Sequence, residues 1–278
     1  MRRAAILVPL ALVLVGCGTS GGPAQITVGA ARTFRLVDFA PAEFTAGKPS
    51  RLSFTIEQPS GQPLTSFRTG SGPHTGVHVI LVRSDLGAII HKHPKPDADG
   101  KVSEELTLPT PGRYRLVVDA YPNLQGPLRN FQLFRWITVP GRPVNRPLPS
   151  FRQAVTVNGY RFTLRHPPRL RAIQPAFLTI NVERPNGSAA TFSPWFGALA
   201  HAIFFRSGSL DYFHTHVCSP GMSGCTSVLG GARVTGTTTQ PGQLRVGVLL
   251  PVAGTWRLFL QSKVDGRVLT APFTLNVR

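Results

Sequence analysis

The stretch V-H-V-I-L-V-R-S-D-L-G-A-I-I-H-K-H-P at residues 77–94 reads as two apolar strands joined by a short polar turn, which predicts a β-hairpin. The chain repeats this pattern, in diverged form, as A-H-A-I-F-F-R-S-G-S-L-D-Y-F-H-T-H-V at residues 200–217. Each copy opens with one histidine, and a His-x-His pair begins 13 residues later (91 − 78 and 214 − 201). These six histidines are the candidate site residues: His78, His91 and His93 in the first copy, and His201, His214 and His216 in the second.

The length of the turn decides which histidines face each other. If the residues on either side of the four-residue turn pair with one another, His78 lies opposite His93. Because successive strand side chains alternate between faces, His91 shares their face. The same pairing places His201 opposite His216. Opposed Cβ atoms lie about 4.5–5.5 Å apart, close enough for imidazoles to bind one ion through bonds of about 2.0–2.1 Å. The sequence therefore predicts one three-histidine metal site in each copy.

The identity of the metal follows only in part from these ligands. Sites built from imidazole alone suit zinc, copper, nickel or iron, whereas magnesium and calcium prefer oxygen. Met222 is the only methionine outside the leader, which argues against a methionine-rich copper carrier. The expected cofactor is therefore a transition-metal ion, with copper and zinc as the leading candidates. The competing interpretation is an envelope adhesion or scaffold protein, in which duplication has copied histidines of structural role.

Enzymatic chemistry finds little support in the sequence. A catalytic metal site usually needs a nearby carboxylate as general base, and none of the 12 acidic residues recurs beside the histidines in both copies. Asp85 in the first turn is replaced by Gly208 in the second. No convincing Ser-His-Asp arrangement, phosphate loop or H-E-x-x-H motif is present. We expect a binding module and no catalytic residue.

The first residues read as an export leader. Residues 1–16 combine two arginines with an apolar core that is too short for an ordinary membrane span. The leader runs into L-V-G-C, which resembles the lipobox of bacterial lipoproteins. The resemblance implies cleavage before Cys17, lipidation of that residue, and anchoring at the outer face of the cell membrane. Residues 17–33, rich in glycine and small residues, predict a flexible tether. A plain signal peptide with a chance cysteine is the alternative.

Composition predicts an all-β body. The chain has 28 glycines, 26 prolines and only 15% charged residues, and Val, Leu, Phe and Thr-rich runs recur between the glycines and prolines. The segment P-G-R-P-V-N-R-P-L-P at residues 140–149 lacks apolar periodicity and predicts an extended linker. We therefore expect two β-sandwich domains, at residues 34–139 and 150–278, each of ordinary domain size.

A second shared feature indicates which sandwich this is. Residues 108–116 read L-P-T-P-G-R-Y-R-L, and residues 250–258 read L-P-V-A-G-T-W-R-L. A glycine turn followed by an aromatic residue at the start of a strand is similar to the tyrosine corner of immunoglobulin-like sandwiches. Tyr114 can donate its hydroxyl to the upstream turn. At the equivalent position Trp256 has no hydroxyl. Either its indole N–H takes that role, or the ring contributes packing alone. The expected fold is two tandem immunoglobulin-like sandwiches.

The second half contains an insertion that carries both remaining thiols. Corresponding positions are separated by 123 at the hairpin (201 − 78) and by 142 at the corner (251 − 109), so 19 residues are added in between. This segment holds Cys218 and Cys225, which we expect to form a disulfide in an oxidising compartment. The alternative makes Cys218, two residues after His216, a soft metal ligand.

The chain is strongly basic, with a net charge of +18 that falls to +16 without Arg2 and Arg3. Such a charge inside a cell would suggest nucleic acid, but export argues against that partner. Outside the cell the matching negative charges belong to lipid headgroups and anionic envelope polymers. The alternative is a dispersed basic surface that serves solubility only.

The first half resembles a family of exported bacterial proteins with the pattern H-x-V-x-L-V-R-x-D-L-x-x-x-x-H-x-H-P followed by P-x-x-G-x-Y-R-L. The match includes the three histidines, Arg83 and Asp85, and then Gly112 and Tyr114. The second half carries a looser version, in which Val217 replaces the proline after H-x-H. Some relatives are associated with heavy metals or copper, so the resemblance implies a metal-handling role in the envelope.

Overall fold

The computed structural model describes residues 33–125, 130–143, 146–219 and 236–278, and within them the chain forms sixteen β-strands. The all-β prediction is confirmed. None of the described residues forms a helix that is long and apolar enough to cross a membrane. The predicted leader, Cys17 and nearly all of the tether lie outside the described residues.

The first half is a seven-stranded antiparallel sandwich. One sheet has the order β1-β2-β5 and the other the order β4-β3-β6-β7. Both sheets fall within the predicted first domain. The strands are β1 (Arg35–Ala40), β2 (Pro49–Glu57), β3 (Val77–Arg83), β4 (Ile89–Lys92), β5 (Lys101–Thr107), β6 (Gly112–Ala120) and β7 (Phe131–Val139).

The second half repeats this arrangement with two additional strands. Its sheets have the orders β8-β9-β10-β14 and β13-β12-β15-β16, and the short β11 pairs with β15 beyond the end of β12. The strands are β8 (Ala154–Val157), β9 (Tyr160–Leu164), β10 (Ala176–Glu183), β11 (Phe192–Ser193), β12 (Ala200–Arg206), β13 (Tyr212–Val217), β14 (Gln243–Val248), β15 (Gly254–Val264) and β16 (Arg267–Val277).

Each half has its own core between its two sheets. In the first half Val79 and Leu81 of β3 lie in this core with Phe54 of β2. In the second half Ala202 and Phe204 of β12 occupy the equivalent positions. Both cores use alternate residues of the hairpin strands, as the period of two requires. The two halves are therefore immunoglobulin-like sandwiches, and each has its own buried core between two sheets.

A third core joins the halves, and it is built from the other faces of the same strands. Ile80 and Val82 of β3 pack with Ile203 and Phe205 of β12. The remaining buried members are Leu86, Val117, Leu210 and Phe259. Leu148 of the predicted linker packs against this cluster. Residues 33–278 thus form one compact unit in which the hairpin sheets face each other.

The backbones of the two halves are in close contact at Gly197. Its φ of +74° lies in the left-handed region, and a Cβ placed there would lie 2.6–2.8 Å from backbone atoms of Ser71 and Gly72. Real Cβ atoms do not approach backbone so closely, so glycine is required for this contact between the halves. This glycine precedes β12 by three residues and therefore fixes how the second hairpin meets the first half.

The corner prediction is confirmed in both halves. The Tyr114 hydroxyl donates to the Thr110 carbonyl oxygen over 2.9 Å, four residues upstream. The Trp256 indole N–H donates to the Val252 carbonyl oxygen over 3.0 Å, also four residues upstream. Both rings are fully buried. The indole therefore substitutes for the phenol, and the two halves close this turn with different donors.

Arg83 and Asp85, which the family pattern includes, have a structural role at the first hairpin. The Arg83 guanidinium donates to both carboxylate oxygens of Asp85, over 2.7 and 2.9 Å. Asp85 also accepts from the backbone N–H of Gly87 over 2.9 Å. A bidentate pair of this kind holds the turn in one geometry. The geometry of this turn fixes the register of the histidines.

Candidate metal centre

The first hairpin has the register that the sequence predicts. The Arg83 backbone N–H donates to the Ala88 carbonyl over 3.0 Å, and Ile80 lies opposite His91. Continuing this pairing by two residues places His78 opposite His93, just past the end of β4. Their rings stack with centroids 3.7 Å apart. The three histidines of the first copy therefore share one face.

The second hairpin repeats this register. His201 pairs directly with His216, and Ile203 pairs with His214. The ring centroids of His201 and His216 are 4.9 Å apart, and those of His214 and His216 are 4.3 Å apart. As in the first copy, all three histidines lie on the face that is turned away from the domain's own core.

The two predicted histidine sets, one in each half, are not separate in the structure. Both histidine faces point into the junction between the halves, where all six rings form one cluster with the ring of His74. His78 of the first half and His214 of the second have centroids 5.5 Å apart, and His91 and His201 have centroids 4.9 Å apart. The reason is that the hairpin sheets pack face to face, which places equivalent residues on opposite sides of one junction.

Three groups of three histidines bring their ring nitrogens within 4.8 Å of one another. The first is the predicted set of the first copy, and the other two draw on both halves. The predicted set of the second copy is not among these groups. The groups are His78, His91 and His93; His78, His214 and His216; and His91, His201 and His214. Any two of them share one histidine.

The far nitrogens of three rings face oxygen atoms of the protein. His91 Nδ1 lies 3.0 Å from Gln261 Oε1, and His201 Nε2 lies 3.0 Å from the Trp195 carbonyl oxygen. His214 Nδ1 lies 3.8 Å from Asp119 Oδ2. At His91 and His201 the oxygen accepts the N–H and fixes the tautomer, so the opposite nitrogen keeps its lone pair. That inner lone pair is the one available to an ion. At His214 the distance is too long for a hydrogen bond, and the contact is one of charge.

The two polar partners occupy equivalent places in the two halves. Asp119 of β6 pairs with His78 of β3, and Gln261 of β15 pairs with His201 of β12. Each reaches across the junction to the other half's hairpin, Asp119 to His214 and Gln261 to His91. The junction therefore has approximate two-fold symmetry of the kind found between identical subunits.

Asp119 is a fully buried carboxylate. Burial raises its pKa to about 6, against the opposing effect of hydrogen bonds from Asn130, Gln132, Tyr212 and Tyr121. Asn130 Nδ2 and Gln132 Nε2 donate to Oδ1 over 2.9 and 3.0 Å, and the Tyr212 hydroxyl lies 3.3 Å from Oδ2. The carboxylate charge is thus stabilised by neutral donors, and Oδ2 faces the histidines.

Burial also keeps the histidines neutral. It lowers the pKa of His201 to about 4, and it lowers the pKa of His78, His91 and His214 well below the usual 6.5. Repulsion between the imidazolium forms of neighbouring rings adds to the effect at these three. His93 and His216 shift in the same direction for the same reasons. Neutral imidazole is the form that binds a metal.

Several ring nitrogens make no aligned hydrogen bond within the described part of the chain. They include both nitrogens of His78, Nδ1 of His214 and Nε2 of His216. Buried polar atoms are nearly always paired, because an unpaired one costs about 1–3 kcal/mol. Other nitrogens pair only with each other: His91 Nε2 and His93 Nε2 are 2.9 Å apart, and His201 Nδ1 and His214 Nε2 are 3.3 Å apart.

Sequence reasoning missed four contributors to the cluster. His74 lies outside the repeated spacing, yet its Nε2 is 3.1 Å from His216 Nδ1. Phe196 stacks on His93 with centroids 4.0 Å apart and planes 7° apart. Asp119 and Gln261 come from strands beyond the hairpins. One signal was available: Asp119 follows Tyr114 by the same five residues that separate Gln261 from Trp256.

A cavity of about 790 Å³ reaches the cluster at His93. The half-buried ring of His93 contributes to its wall, beside Thr75, Lys95 and Phe196. The other five cluster histidines of the two hairpins are more deeply enclosed. His93 is therefore the cluster histidine that borders this cavity.

The cysteine prediction stays a prediction. Cys218 is buried directly after β13, whereas Cys225 and most of the predicted insertion lie outside the described residues. The alternative role of Cys218 as a metal ligand gains no support from the geometry. The groups of converging ligand atoms within the described residues consist of histidines.

Comparison with known proteins assigns no activity. The model of a family described as a domain of unknown function, DUF8832, matches residues 33–133 and 155–278. No curated protein matches the chain. Solved structures that are similar include a mutant of Salmonella alpha-2-macroglobulin (12% identity, 88% of this chain, 14% of that one, TM-score 0.26). The E. coli alpha-2-macroglobulin is similar at 8% identity (91% and 15% covered, TM-score 0.29).

Fibronectin(III)-like modules of Clostridium thermocellum CbhA are similar to this chain at 12% identity. The match covers 88% of this chain and 93% of that one, with a TM-score of 0.22. The chain spans only 14% and 15% of the length of the two macroglobulins.

Proposed function

Because the chain belongs to the DUF8832 family, whose description names no activity, we propose its function from the histidine cluster alone. The protein is a binding module for a transition-metal ion, which it holds in the junction between its two sandwiches. The observation that carries this proposal is the convergence of buried, neutral imidazoles from both halves within 4.8 Å.

The state of the ring nitrogens favours ligation over a purely structural role. Structural histidines in a core satisfy their nitrogens with protein donors and acceptors. Here inner nitrogens face one another instead: His91 Nε2 lies 2.9 Å from His93 Nε2, and His201 Nδ1 lies 3.3 Å from His214 Nε2. A bound ion would accept the lone pairs that otherwise face each other. It would also offset the cost of burying them.

The spacing of the inner nitrogens fits a small transition-metal ion. Four ligands at about 2.0–2.1 Å in tetrahedral geometry place neighbouring nitrogens about 3.3–3.4 Å apart. The distance between His201 Nδ1 and His214 Nε2 is 3.3 Å. Imidazole ligands suit zinc and copper, which are therefore the ions to test first.

The cluster supports one ion per chain. Any two of the three groups share His78, His91 or His214. One imidazole lone pair serves one ion at a time, so filling one group removes a ligand from each of the others. This replaces the expectation of two ions per chain that follows from the repeat alone.

We place this module in the cell envelope because of its predicted leader and lipidated Cys17. We propose no catalytic role. Asp119 is the carboxylate near the cluster, and it faces a histidine that we count among the ligands. Anionic envelope polymers remain a proposed partner on the basis of charge alone, and nucleic acid is not expected.

The test is a metal titration of the purified protein after treatment with a chelator. Zinc and copper(II) are added at neutral pH and followed by calorimetry, with elemental analysis of the dialysed product. We expect one equivalent of either ion. A protein that binds neither ion would leave the scaffold interpretation, in which the histidines only fill the junction. Two independent equivalents would instead restore the picture of one site in each half.

A further inference from the structure

The three groups of histidines differ in what lies behind their rings. We infer that the ion is held by His91, His201 and His214, an inference that rests on the proposed metal binding and names its ligands. One of these residues comes from the first half and two come from the second. The ion would therefore tie the two sandwiches together.

Each ring of this group has an oxygen atom beyond its far nitrogen. Histidines that bind metals nearly always donate their other N–H to a carboxylate, a backbone carbonyl or water. The three rings of this group face Gln261 Oε1, the Trp195 carbonyl and Asp119 Oδ2, at 3.0, 3.0 and 3.8 Å. The two oxygens at 3.0 Å accept an N–H, so the inner nitrogens of His91 and His201 carry lone pairs. At His214 the Asp119 carboxylate is too distant for a hydrogen bond, but its charge favours the proton on Nδ1 and therefore a lone pair on the inner Nε2.

The rival groups have less of this support. Both contain His78, whose ring lies beside the backbone of Pro73 and Thr75 but makes no aligned hydrogen bond to any described residue. In one of them His216 faces His74, a ring that has no oxygen to accept a proton. In the other His93 is half-buried and stacks on Phe196. Their tautomers and orientations are less firmly fixed.

In the metal-free protein the inner nitrogens of His201 and His214 face each other. The Trp195 carbonyl accepts the Nε2 proton of His201, which leaves a lone pair on Nδ1. When His214 directs its Nδ1 proton towards Asp119, its Nε2 also carries a lone pair. Two lone pairs then face each other over 3.3 Å. A cation between them removes the repulsion, whereas a neutral ring that moves its own proton there gives up its outer contact.

The hairpins supply a matched control for each proposed ligand. His91 and His93 lie on one strand end, as do His214 and His216, and His201 corresponds to His78 in the repeat. We expect His91→Ala, His201→Ala and His214→Ala to weaken zinc affinity by about 100-fold or more, a larger loss than most outer partners cause. The control substitutions His93→Ala, His216→Ala and His78→Ala should change it by less than about 10-fold.

Asp119 acts as a positioning residue for His214, and Asp119→Asn tests this role. The asparagine keeps the size of the side chain and removes the charge that attracts the Nδ1 proton. We expect zinc affinity to fall by about 10–100-fold. The visible spectrum of the cobalt(II) form should also shift, because His214 changes its orientation. Unchanged affinity and an unchanged cobalt spectrum would show that Asp119 has a structural role only.

If some variants fail to fold, the ligands can be identified in the wild type instead. Protein labelled with ¹⁵N-histidine is saturated with zinc, and the ring nitrogens are observed by NMR. We expect two rings bound through Nε2, those of His91 and His214, and one bound through Nδ1, that of His201. Conservative His→Gln substitutions assign the signals.

The outcomes separate the inference from the proposal on which it rests. A wild type that binds no zinc overturns both. Binding that survives His201→Ala but disappears with His78→Ala or His93→Ala overturns the ligand assignment and leaves metal binding in place. Three rings all bound through Nε2 would contradict the assigned role of His201.

Discussion

His91 Nδ1 lies 3.0 Å from Gln261 Oε1, so a residue 170 positions away in the other half orients a histidine of the first hairpin. Gln261 is buried, and its amide nitrogen donates to Thr270 Oγ1 over 3.1 Å. The amide oxygen is thereby directed towards His91. This contact between the halves is part of the same junction that brings the hairpin histidines together.

Replacing Gln261 with leucine should weaken metal binding. The change keeps the volume but removes the acceptor, so the His91 N–H is buried without a partner, at a cost of about 1–3 kcal/mol. We expect zinc affinity to fall by about 10–100-fold, measured by competition with a coloured chelator. Gln243→Leu is the control, since Gln243 is equally buried but bonds to Asn181 and Gln240. It should cost stability and leave zinc affinity unchanged.

Acid should destabilise the metal-free protein. In the folded protein, six cluster histidines have a pKa below the unfolded value of 6.5. The folded pKa of His201 is about 4. As pH falls below 6.5 the unfolded chain binds protons that the folded chain does not, so the free energy of unfolding decreases. The slope approaches about 1.4 kcal/mol per pH unit for each histidine.

Asp119 works in the opposite direction over part of this range. Its folded pKa of about 6 exceeds the usual 3.8, so its contribution is fully present below 3.8 and is lost as pH rises through 6. One such group does not offset six histidines. Urea unfolding at pH 7.5, 6.5 and 5.5 in the presence of a chelator measures the effect. A stability that is constant across this range would contradict neutral, buried histidines.

Two adjacent phenylalanines lie on opposite faces of β12, one in the junction and one in the domain core. Phe205 packs in the cluster between the halves, and Phe204 packs in the core of the second sandwich. Replacing either with alanine should cost about 3–5 kcal/mol of stability. Phe205→Ala should also loosen the junction and weaken zinc binding, while each sandwich keeps its own core.

The comparison of these variants is made by proteolysis and zinc titration together. We expect Phe205→Ala to increase cleavage within residues 140–149 while fragments of both halves stay resistant. Phe204→Ala should render the second half susceptible. Equal zinc affinity in Phe205→Ala and the wild type would mean that the third core does not hold the histidines in place.

The two corners should differ in their sensitivity to substitution. Tyr114→Phe removes only the hydroxyl that bonds to the Thr110 carbonyl, so we expect a loss of about 1 kcal/mol in unfolding free energy. Trp256→Phe removes the indole donor and also leaves a cavity, which should raise the cost to about 2–4 kcal/mol. Urea denaturation measures both. Equal losses would indicate that the Trp256 bond and volume contribute little.

The predicted anchor has a direct test in the cell. Cys17→Ala removes the residue that the lipobox-like leader would expose for lipidation. We expect the variant to lose incorporation of labelled fatty acid and to appear in the soluble fraction. Cys218→Ala is the control, because it removes a cysteine outside the leader and should leave the membrane fraction unchanged. Membrane retention of Cys17→Ala would exclude a lipid anchor at this position.

The sequence by itself determined the local geometry of this protein. A strand period of two and a turn of fixed length place His78 opposite His93 and His201 opposite His216, and the pairing confirms both. The glycine and aromatic pattern predicted the corners at Tyr114 and Trp256. These features depend on residues close together in the chain, so local spacing is sufficient to specify them.

Only the tertiary structure decided that the two histidine faces meet. All seven residues of β3 are buried, including Ile80 and Val82 on the histidine face, whereas a strand with one exposed face would alternate. That continuous apolar run indicates a second covering layer but does not say which surface supplies it. Here the other hairpin supplies it, because packing the two equivalent faces buries both sets of apolar side chains at once. The same packing merges the two predicted histidine sets and adds Asp119, Gln261 and His74, whose positions depend on contacts that no local spacing encodes.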